Sequence, residues 1–415
     1  MNTNGYYKRH VEGRLRAMLK DARVVLIEGP RQCGKTTLAK MIRRELGYEY
    51  ITFDDPADLA VARDNPKGFV ERLPERVILD EVQIVPELLS SIKLVVDRER
   101  IPGRFILTGS VNLFRIPKLG DSLAGRMETI KLHPLSQCEI EGVEPTFLNR
   151  LFADEFGDRR GKQLPPGELE ERVTKGGYPE AMLRPDQGRR NEWGTDYVNT
   201  IIQRDLPVIT NAHSLELMGD LLELAANETA QILSAERLAK SFQLTRPTIQ
   251  NYMAALQQVF LVHKLRPWFK PTLPRMIKKP KLHLTDTGLL CALRRLNKQS
   301  LQEDHNVFGA ILESFVLQEL RRQASASAEP HDFNYYRTRD DHEVDIVIER
   351  GNQVAGVEVK ASASFDGDDF RGLRHFKKQL GDRFRAGVVV YNGERAHRLK
   401  DGLWAVPAWM LWAAP

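Results

Sequence analysis

The 415-residue sequence predicts an α/β protein, and three stretches carry that prediction. Residues 23–46, RVVLIEGPRQCGKTTLAKMIRREL, read as a buried strand, a glycine-rich turn and a helix. Residues 76–89, RVILDEVQIVPELL, give a second apolar strand that ends in two acids. Residues 306–360 run as an apolar-faced helix followed by alternating strands. Strands interleaved with helices favour a parallel sheet.

Composition bounds the function classes. With 42% hydrophobic and 28% charged residues, the chain can fold around a core and is not a disordered tail. No run approaches the roughly 20 apolar residues that cross a bilayer, and the ending LWAVPAWMLWAAP reads as a last strand and helix. The start, MNTNGYYKRHVEGRLRAM, lacks the apolar stretch of a secretory signal. Three scattered cysteines, Cys33, Cys138 and Cys291, form neither a disulfide framework nor a zinc pattern, so a reducing cytoplasm is expected. A net charge of +5 permits nucleic-acid contact without requiring it. Three domains are expected, over 1–150, 151–270 and 271–415, and RRQASASAEP (321–330) reads as a flexible connector.

In the first domain, the strand at Val24–Ile27 delivers G-x-x-x-x-G-K-[ST] to a helix whose apolar side carries Leu38, Met41 and Ile42. Gly29 and Gly34 let the backbone curl so that its N–H groups converge on phosphates. The nucleotide-binding residues are therefore Gly29, Pro30, Arg31, Gln32, Cys33, Gly34, Lys35, Thr36 and Thr37. Lys35 reaches the β- and γ-phosphates, and the Thr36 hydroxyl ligates Mg2+, which makes ATP and Mg2+ the expected cofactors. The second strand delivers Asp80, to hold Mg2+ indirectly, and Glu81, to polarise the attacking water. RFILTGSVNLF (104–114) is a third buried strand. Ser110 or Asn112 at its end senses the γ-phosphate or positions water, or simply makes a turn. Arg126, after a glycine in DSLAGRMETI, is a candidate charge-stabilising arginine in cis or in a neighbouring subunit, or else a surface ion pair.

With GPRQCGKTTL, VILDEVQIVPELL, FILTGSVNL and SLAGR, the chain resembles the bacterial and archaeal AAA-type P-loop ATPases that carry a C-terminal domain of unknown function. GGYPEAM, QRDLP, KLHLTDTGLL, GAILESFVLQEL and EVDIVI…GVEVK extend the resemblance over nearly the whole chain. It implies an ATPase of the additional-strand, catalytic-glutamate type.

From 215 to 264 the chain reads as helices ending in an alternating strand. Ser234 caps one helix, and Thr245 precedes another with Pro247 in its first turn. This is a winged helix-turn-helix pattern. If it reads DNA, Arg246, Thr248, Gln250 and Asn251 face bases and Arg237, Lys240 and Lys264 meet phosphates; equally, the module serves as a lid or protein contact. Asp286 in KLHLTDTGLL has no assignable chemical task.

In the last domain, Asp345 alternates away from Val344, Ile346 and Ile348, while Glu358 and Lys360 share one face of the next strand. An antiparallel pair brings the three together, with Glu313 arriving from the preceding helix. Acid, spacer, E-x-K and a helical Glu resemble the restriction-endonuclease-like (PD-(D/E)xK) nucleases. That resemblance implies Asp345, Glu358 and Glu313 as ligands of Mg2+ and Lys360 as the group that orients or deprotonates water. Two functions follow as expectations. One is a Mg2+-dependent ATPase acting on nucleic acid, DNA favoured, with or without nuclease activity. The other is a nucleotide-controlled switch or scaffold for a protein partner with a silent nuclease-like domain. A homo-oligomer is compatible with either; a membrane role is not expected.

Overall fold

The computed structural model describes residues 6–112, 123–157, 164–210, 215–268 and 277–413, and among them the strands form two sheets. The first is wholly parallel and built from β1 (Val24–Glu28), β2 (Glu49–Thr52), β3 (Val77–Asp80), β4 (Phe105–Gly109) and β5 (Met127–Lys131). Its order is β2-β3-β4-β1-β5. β4 thus lies between the strands that lead to the glycine-rich loop and to Asp80, which is the additional strand the resemblance implies. β1, β3 and β4 are buried at every position, because helices cover both faces and no polar face is needed. Helix Lys35–Leu46 packs Leu38, Ala39 and Ile42 on one face of this sheet. Met41 departs from the expected apolar side and turns to the cavity beside the loop.

The second sheet has nine strands. Three come from the middle of the chain: β6 (Gln231–Ile232), β7 (Val262–Pro267) and β8 (Lys281–Leu284). Six follow: β9 (Asp332–Arg337), β10 (Glu343–Arg350), β11 (Gln353–Lys360), β12 (Phe384–Tyr391), β13 (His397–Arg398) and β14 (Trp404–Pro407). The order is β13-β14-β12-β11-β10-β9-β7-β8-β6. β7 joins the halves by parallel pairing with β9, Arg266 opposite Asn334 and Pro267 opposite Tyr335. The expected division at residue 270 therefore falls inside one sheet.

Helix His305–Ala326 lies against this sheet and buries Phe308, Ile311, Leu312, Phe315, Val316 and Leu320, the apolar face expected from the sequence. It also absorbs most of the expected connector at 321–330. Arg322 and Gln323 are buried and hydrogen-bonded, to Leu135 O and Leu411 O among others, so polar residues that read as solvated linker are the helix's last inward-facing turn. β9, β10 and β11 are antiparallel, and helix Arg371–Leu380 leads to β12, which pairs parallel with β11. β10 carries one extra residue against β9 between Val344 and Val347, a bulge that re-aims Asp345.

Candidate functional site

The loop between β1 and its helix lines a cavity of about 540 Å3 with residues Arg31–Leu38. Gly34 (φ 103°) and Gln32 (φ 57°) adopt left-handed backbone, which turns successive N–H groups toward one point. Gly29 cannot be larger: a Cβ there would lie 2.0 Å from Leu132 O. The Lys35 ammonium, almost fully buried, donates to Gly29 O at 3.0 Å and Pro30 O at 2.9 Å. Thr36 Oγ1 donates to Asp80 Oδ2 at 3.0 Å, so the hydroxyl and carboxylate expected to share a magnesium are already adjacent. Tyr50 and Thr108 donate to the same carboxylate and fix its orientation.

Glu81 sits one residue beyond β3 with φ 59°, a left-handed conformation that a non-glycine residue holds only under constraint. Thr108 Oγ1 accepts from its N–H at 3.1 Å. Its carboxylate takes hydrogen bonds from Gln83 and, at 3.2 Å, from Ser110. Of the two residues expected to serve the γ-phosphate region, Ser110 thus acts on Glu81. Asn112 instead donates its N–H to Gln258 O at 3.0 Å and lines a different cavity.

Sequence reading missed several residues that brace this pocket. Arg9 donates to Cys33 O at 2.7 Å, to His133 O at 2.6 Å and to Glu139 at 3.0 Å. Arg31 pairs through Nε with both oxygens of buried Asp205, 2.9 and 2.7 Å. Asp205 ends a π-turn, Ile201–Asp205, that also places Arg204 on the pocket wall. Pro207 explains the turn: it lacks the N–H an α-helix needs there, and the chain widens to accommodate its ring. QRDLP was visible as a motif, but only the fold reveals that it reaches the loop. Cys33 is fully buried with Sγ 3.3 Å from Leu132 O, and burial pushes its thiol pKa up, so it packs rather than reacts.

Arg126 lies elsewhere. The register of β1 with β5 sets Met127 beside Val24, so Arg126 is at the end of the sheet opposite the loop. It pairs through two nitrogens with Asp97 on helix Leu88–Glu99. Within its own chain it does not reach the nucleotide pocket.

The acids of the last domain do converge, but around a lysine. Register Ile346↔Val357 puts Asp345 and Glu358 next to each other, and both line a cavity of about 590 Å3 with Glu313. Lys281 enters from β8, its ammonium 2.7 Å from Glu343, 2.9 Å from Glu313 and 3.2 Å from Asp345. Burial lowers its pKa, but the carboxylates of Glu313, Asp345 and Glu343 outweigh that and hold it well above the usual lysine range. Asp345 accepts from Val359 N–H at 3.0 Å, and Arg337 pairs with Glu343 at 3.1 Å. Burial first, and then the neighbouring Asp345, push Glu313 and Glu358 well above the carboxylate range. Lys360 pairs with Glu358 at 3.3 Å and Asp369 at 3.5 Å, on the face expected for it.

This corrects the assignment of Glu313, Asp345 and Glu358 as Mg2+ ligands. An ammonium with three donors occupies the centre of the carboxylates, and no group of three His, Cys, Asp or Glu among the described residues is arranged to hold a metal ion. Lys281 and Glu343 were missed because they lie far from the E-x-K stretch in sequence. The only signal was K-L-H-L itself, whose alternation puts Lys281 and His283 on one buried face.

Helices Ala235–Ser241 and Arg246–Gln258 form a helix-turn-helix, capped by Ser234 and Thr245 as expected, and the β7–β8 hairpin follows. Arg246, Gln250 and Asn251 are exposed and Thr248 half-buried. Arg246 pairs with Glu236 at 3.3 Å, and Arg237 pairs with Glu228. Because β7 is interior to the nine-stranded sheet, Lys264 faces an internal cavity rather than an outer wing surface. Asp286 acquires a structural task. It accepts from Gly177 N–H (2.8 Å), Leu289 N–H (3.1 Å) and Arg322 (2.9 Å), locking GGYP and TDTG to the long helix.

Residues 21–141 match the family model described as AAA domain. They form an AAA-type P-loop ATPase domain. Residues 167–300 and 308–411 match models described as domains of unknown function, DUF8612 and DUF4143 respectively. Over 402 residues the chain is 29% identical to the uncharacterized proteins Rv2008c of Mycobacterium tuberculosis and Mb2031c of Mycobacterium bovis, spanning 97% of this chain and 83% of each relative. Among solved structures, the Walker-type ATPase PABY2304 of Pyrococcus abyssi aligns with 17% identity and a TM-score of 0.44, over 70% of this chain and 97% of that one. The RuvB Holliday junction branch migration motor of Thermotoga maritima aligns with 17% identity and a TM-score of 0.28, over 61% of this chain and 88% of that one. No helix among the described residues is long and apolar enough to cross a membrane.

Proposed function

We propose that the chain hydrolyses Mg2+-ATP and uses nucleotide state to control its C-terminal half as a switch, with the nuclease-like centre silent. The observation that carries this reading is the contrast between the two sites. At the P-loop, Thr36 and Asp80 are adjacent and suited to a hard cation, and Lys35 stands where phosphate oxygens would draw its ammonium off the loop carbonyls. Bound Mg2+-ATP supplies the phosphoanhydride to be cleaved. Glu81, fixed by Gln83 and Ser110, is placed to orient water and take its proton. In the last domain, by contrast, Lys281 already neutralises the acids, so a divalent ion would have to displace a buried ammonium from three carboxylates.

The exposed start of helix Arg246–Gln258 supports nucleic acid, DNA above all, as a second candidate partner beside protein. Arg126, exposed at the sheet's far end, fits a role toward a neighbouring subunit better than one in its own active site. A reducing, cytoplasmic setting suits the three buried free thiols.

The deciding experiment measures ATP turnover and cleavage of labelled DNA and RNA in the same tubes, with Mg2+ and Mn2+. We expect turnover, with Glu81→Gln retaining ATP binding while losing about two to three orders of magnitude in rate. We expect no cleavage. Undiminished turnover in Glu81→Gln removes the role given to that residue, and metal-dependent cleavage abolished by Asp345→Asn removes the silent reading.

A further inference from the structure

A second cavity, of about 430 Å3, lies at the junction of the P-loop domain with the nine-stranded sheet. It divides the loop with the nucleotide pocket: Glu28–Pro30 line this cavity, and Arg31–Leu38 line the other. Its walls carry Lys131 and His133 from the end of β5, His263, Lys264 and Arg266 from β7, and Arg321 from the long helix. Against these stand two carboxylates, Glu28 and Asp332.

Arg321 is the least expected of these groups. Its guanidinium donates to the Gln318 side-chain oxygen at 2.7 Å, a neutral partner, and among the described residues it has no carboxylate. Its neighbour Arg322, by comparison, holds both Asp286 and Glu319. Burying a guanidinium without an anion costs several kcal/mol unless something supplies the counter-charge. The titration of the surrounding groups agrees. Burial, and then Arg322, lower Arg321 to about 10. Burial, Arg321, Arg322 and Lys131 drive His133 well below the imidazole range. His263 is driven down by burial, Arg321 and its histidine neighbours. The cavity thus holds more positive charge than its own acids balance.

We infer that this cavity is a binding site for a small phosphate-bearing anion, held by Arg321, Lys131 and Arg266. Planar guanidinium and mobile ammonium groups converging on an enclosed, water-sized space are the chemistry that recognises phosphate. Its position adds a consequence. Gly29 and Pro30 belong both to this wall and to the loop that Lys35 contacts, and Asn112 on the same wall is bonded to Gln258 at the end of the second helix of the helix-turn-helix. An anion here would bear on the P-loop and on the C-terminal half together. The inference stands on the cavity and goes beyond the ATPase reading.

The test is calorimetry on the full chain. Mg2+-ADP is titrated first, which scores the P-loop by itself. Inorganic phosphate is then titrated into the ADP-filled protein. We expect a phosphate-binding event that survives ADP saturation and weakens about tenfold for each of Lys131→Ala and Arg266→Ala. Both residues are exposed to solvent or cavity, and circular dichroism confirms that the variants fold. Arg321→Gln serves as a third variant. A single-turnover measurement with a fluorescent phosphate sensor separates the two sources. Slow release of hydrolysed phosphate, made fast by the variants, identifies product as the ligand; unchanged release with intact binding of added phosphate identifies a free phosphorylated ligand. Absence of phosphate binding to the ADP-filled protein, or binding equal in all variants, overturns the proposal. So does retention of a single-stranded oligonucleotide, lost in the same variants, without any phosphate binding.

Discussion

Glu358 is buried with Oε2 lacking a hydrogen-bond partner, yet the strand pattern alone marks it as a metal ligand. The difference lies in what surrounds it. Burial and Asp345 raise its pKa well above 4.5, outweighing the nearby ammonium groups of Lys360 and Lys281. The sign of the linkage follows. A carboxyl whose folded pKa lies above its unfolded value is easiest to fold as the neutral acid, so stability is greatest below about pH 4.5 and falls as pH rises toward the folded pKa. Glu358→Gln keeps the shape and removes the charge. It should raise the melting temperature at pH 7 by several degrees, with the advantage vanishing in thermal melts run below about pH 4.5. A uniform loss of stability at every pH would contradict this account. Residue types were legible wherever a local motif fixed them: Lys35, Thr36, Asp80 and Glu81 occupy the places expected. Lys281 was not legible, because its partners lie 32 residues away on a helix and 64 away on a strand. No periodicity encodes such a meeting.

At the scale of elements, strand–loop–helix order was readable because each piece states its own period and its own glycine. The loop's tolerance is tertiary, however. Gly29 is pinned against Leu132 O, and Leu132 N–H in turn donates to Glu28 O at 2.8 Å. Gly29→Ala must therefore push the loop off β5. We expect Mg2+-ATP affinity to fall at least a hundredfold in equilibrium binding, with the circular dichroism spectrum little changed. Wild-type affinity in this variant would show that the close approach is not needed. The hairpin of the helix-turn-helix failed differently. Its alternation was read correctly as a strand, but alternation cannot say whether a strand's edge is free or paired. Here both edges of β7 are taken, by β8 and β9. The RRQASASAEP stretch was misread for a related reason: composition reports polarity, whereas the partners of Arg322 lie more than thirty residues upstream.

For the whole molecule, the expected boundary at 270 has a direct test. Cutting there separates β7 from β8 and β9, leaving interior strands with open edges in both pieces. Residues 1–270 and 271–415 expressed apart should aggregate and should recover only when produced together, as judged by size-exclusion chromatography with light scattering. A stable, monomeric 271–415 fragment would refute the single-sheet description.

The position of Lys281 has a mechanical meaning as well as an electrostatic one. It rides on the hairpin that follows the helix-turn-helix, yet its ammonium is clasped by acids on the long helix and on β10. Tilting the helix-turn-helix away from the last six strands would tear that clasp and the β7–β9 pairing at once. The stiff part of the molecule therefore begins before residue 235 and continues through the last strand. What freedom remains for an engine stroke is gathered along one seam, where the parallel sheet meets everything that follows it.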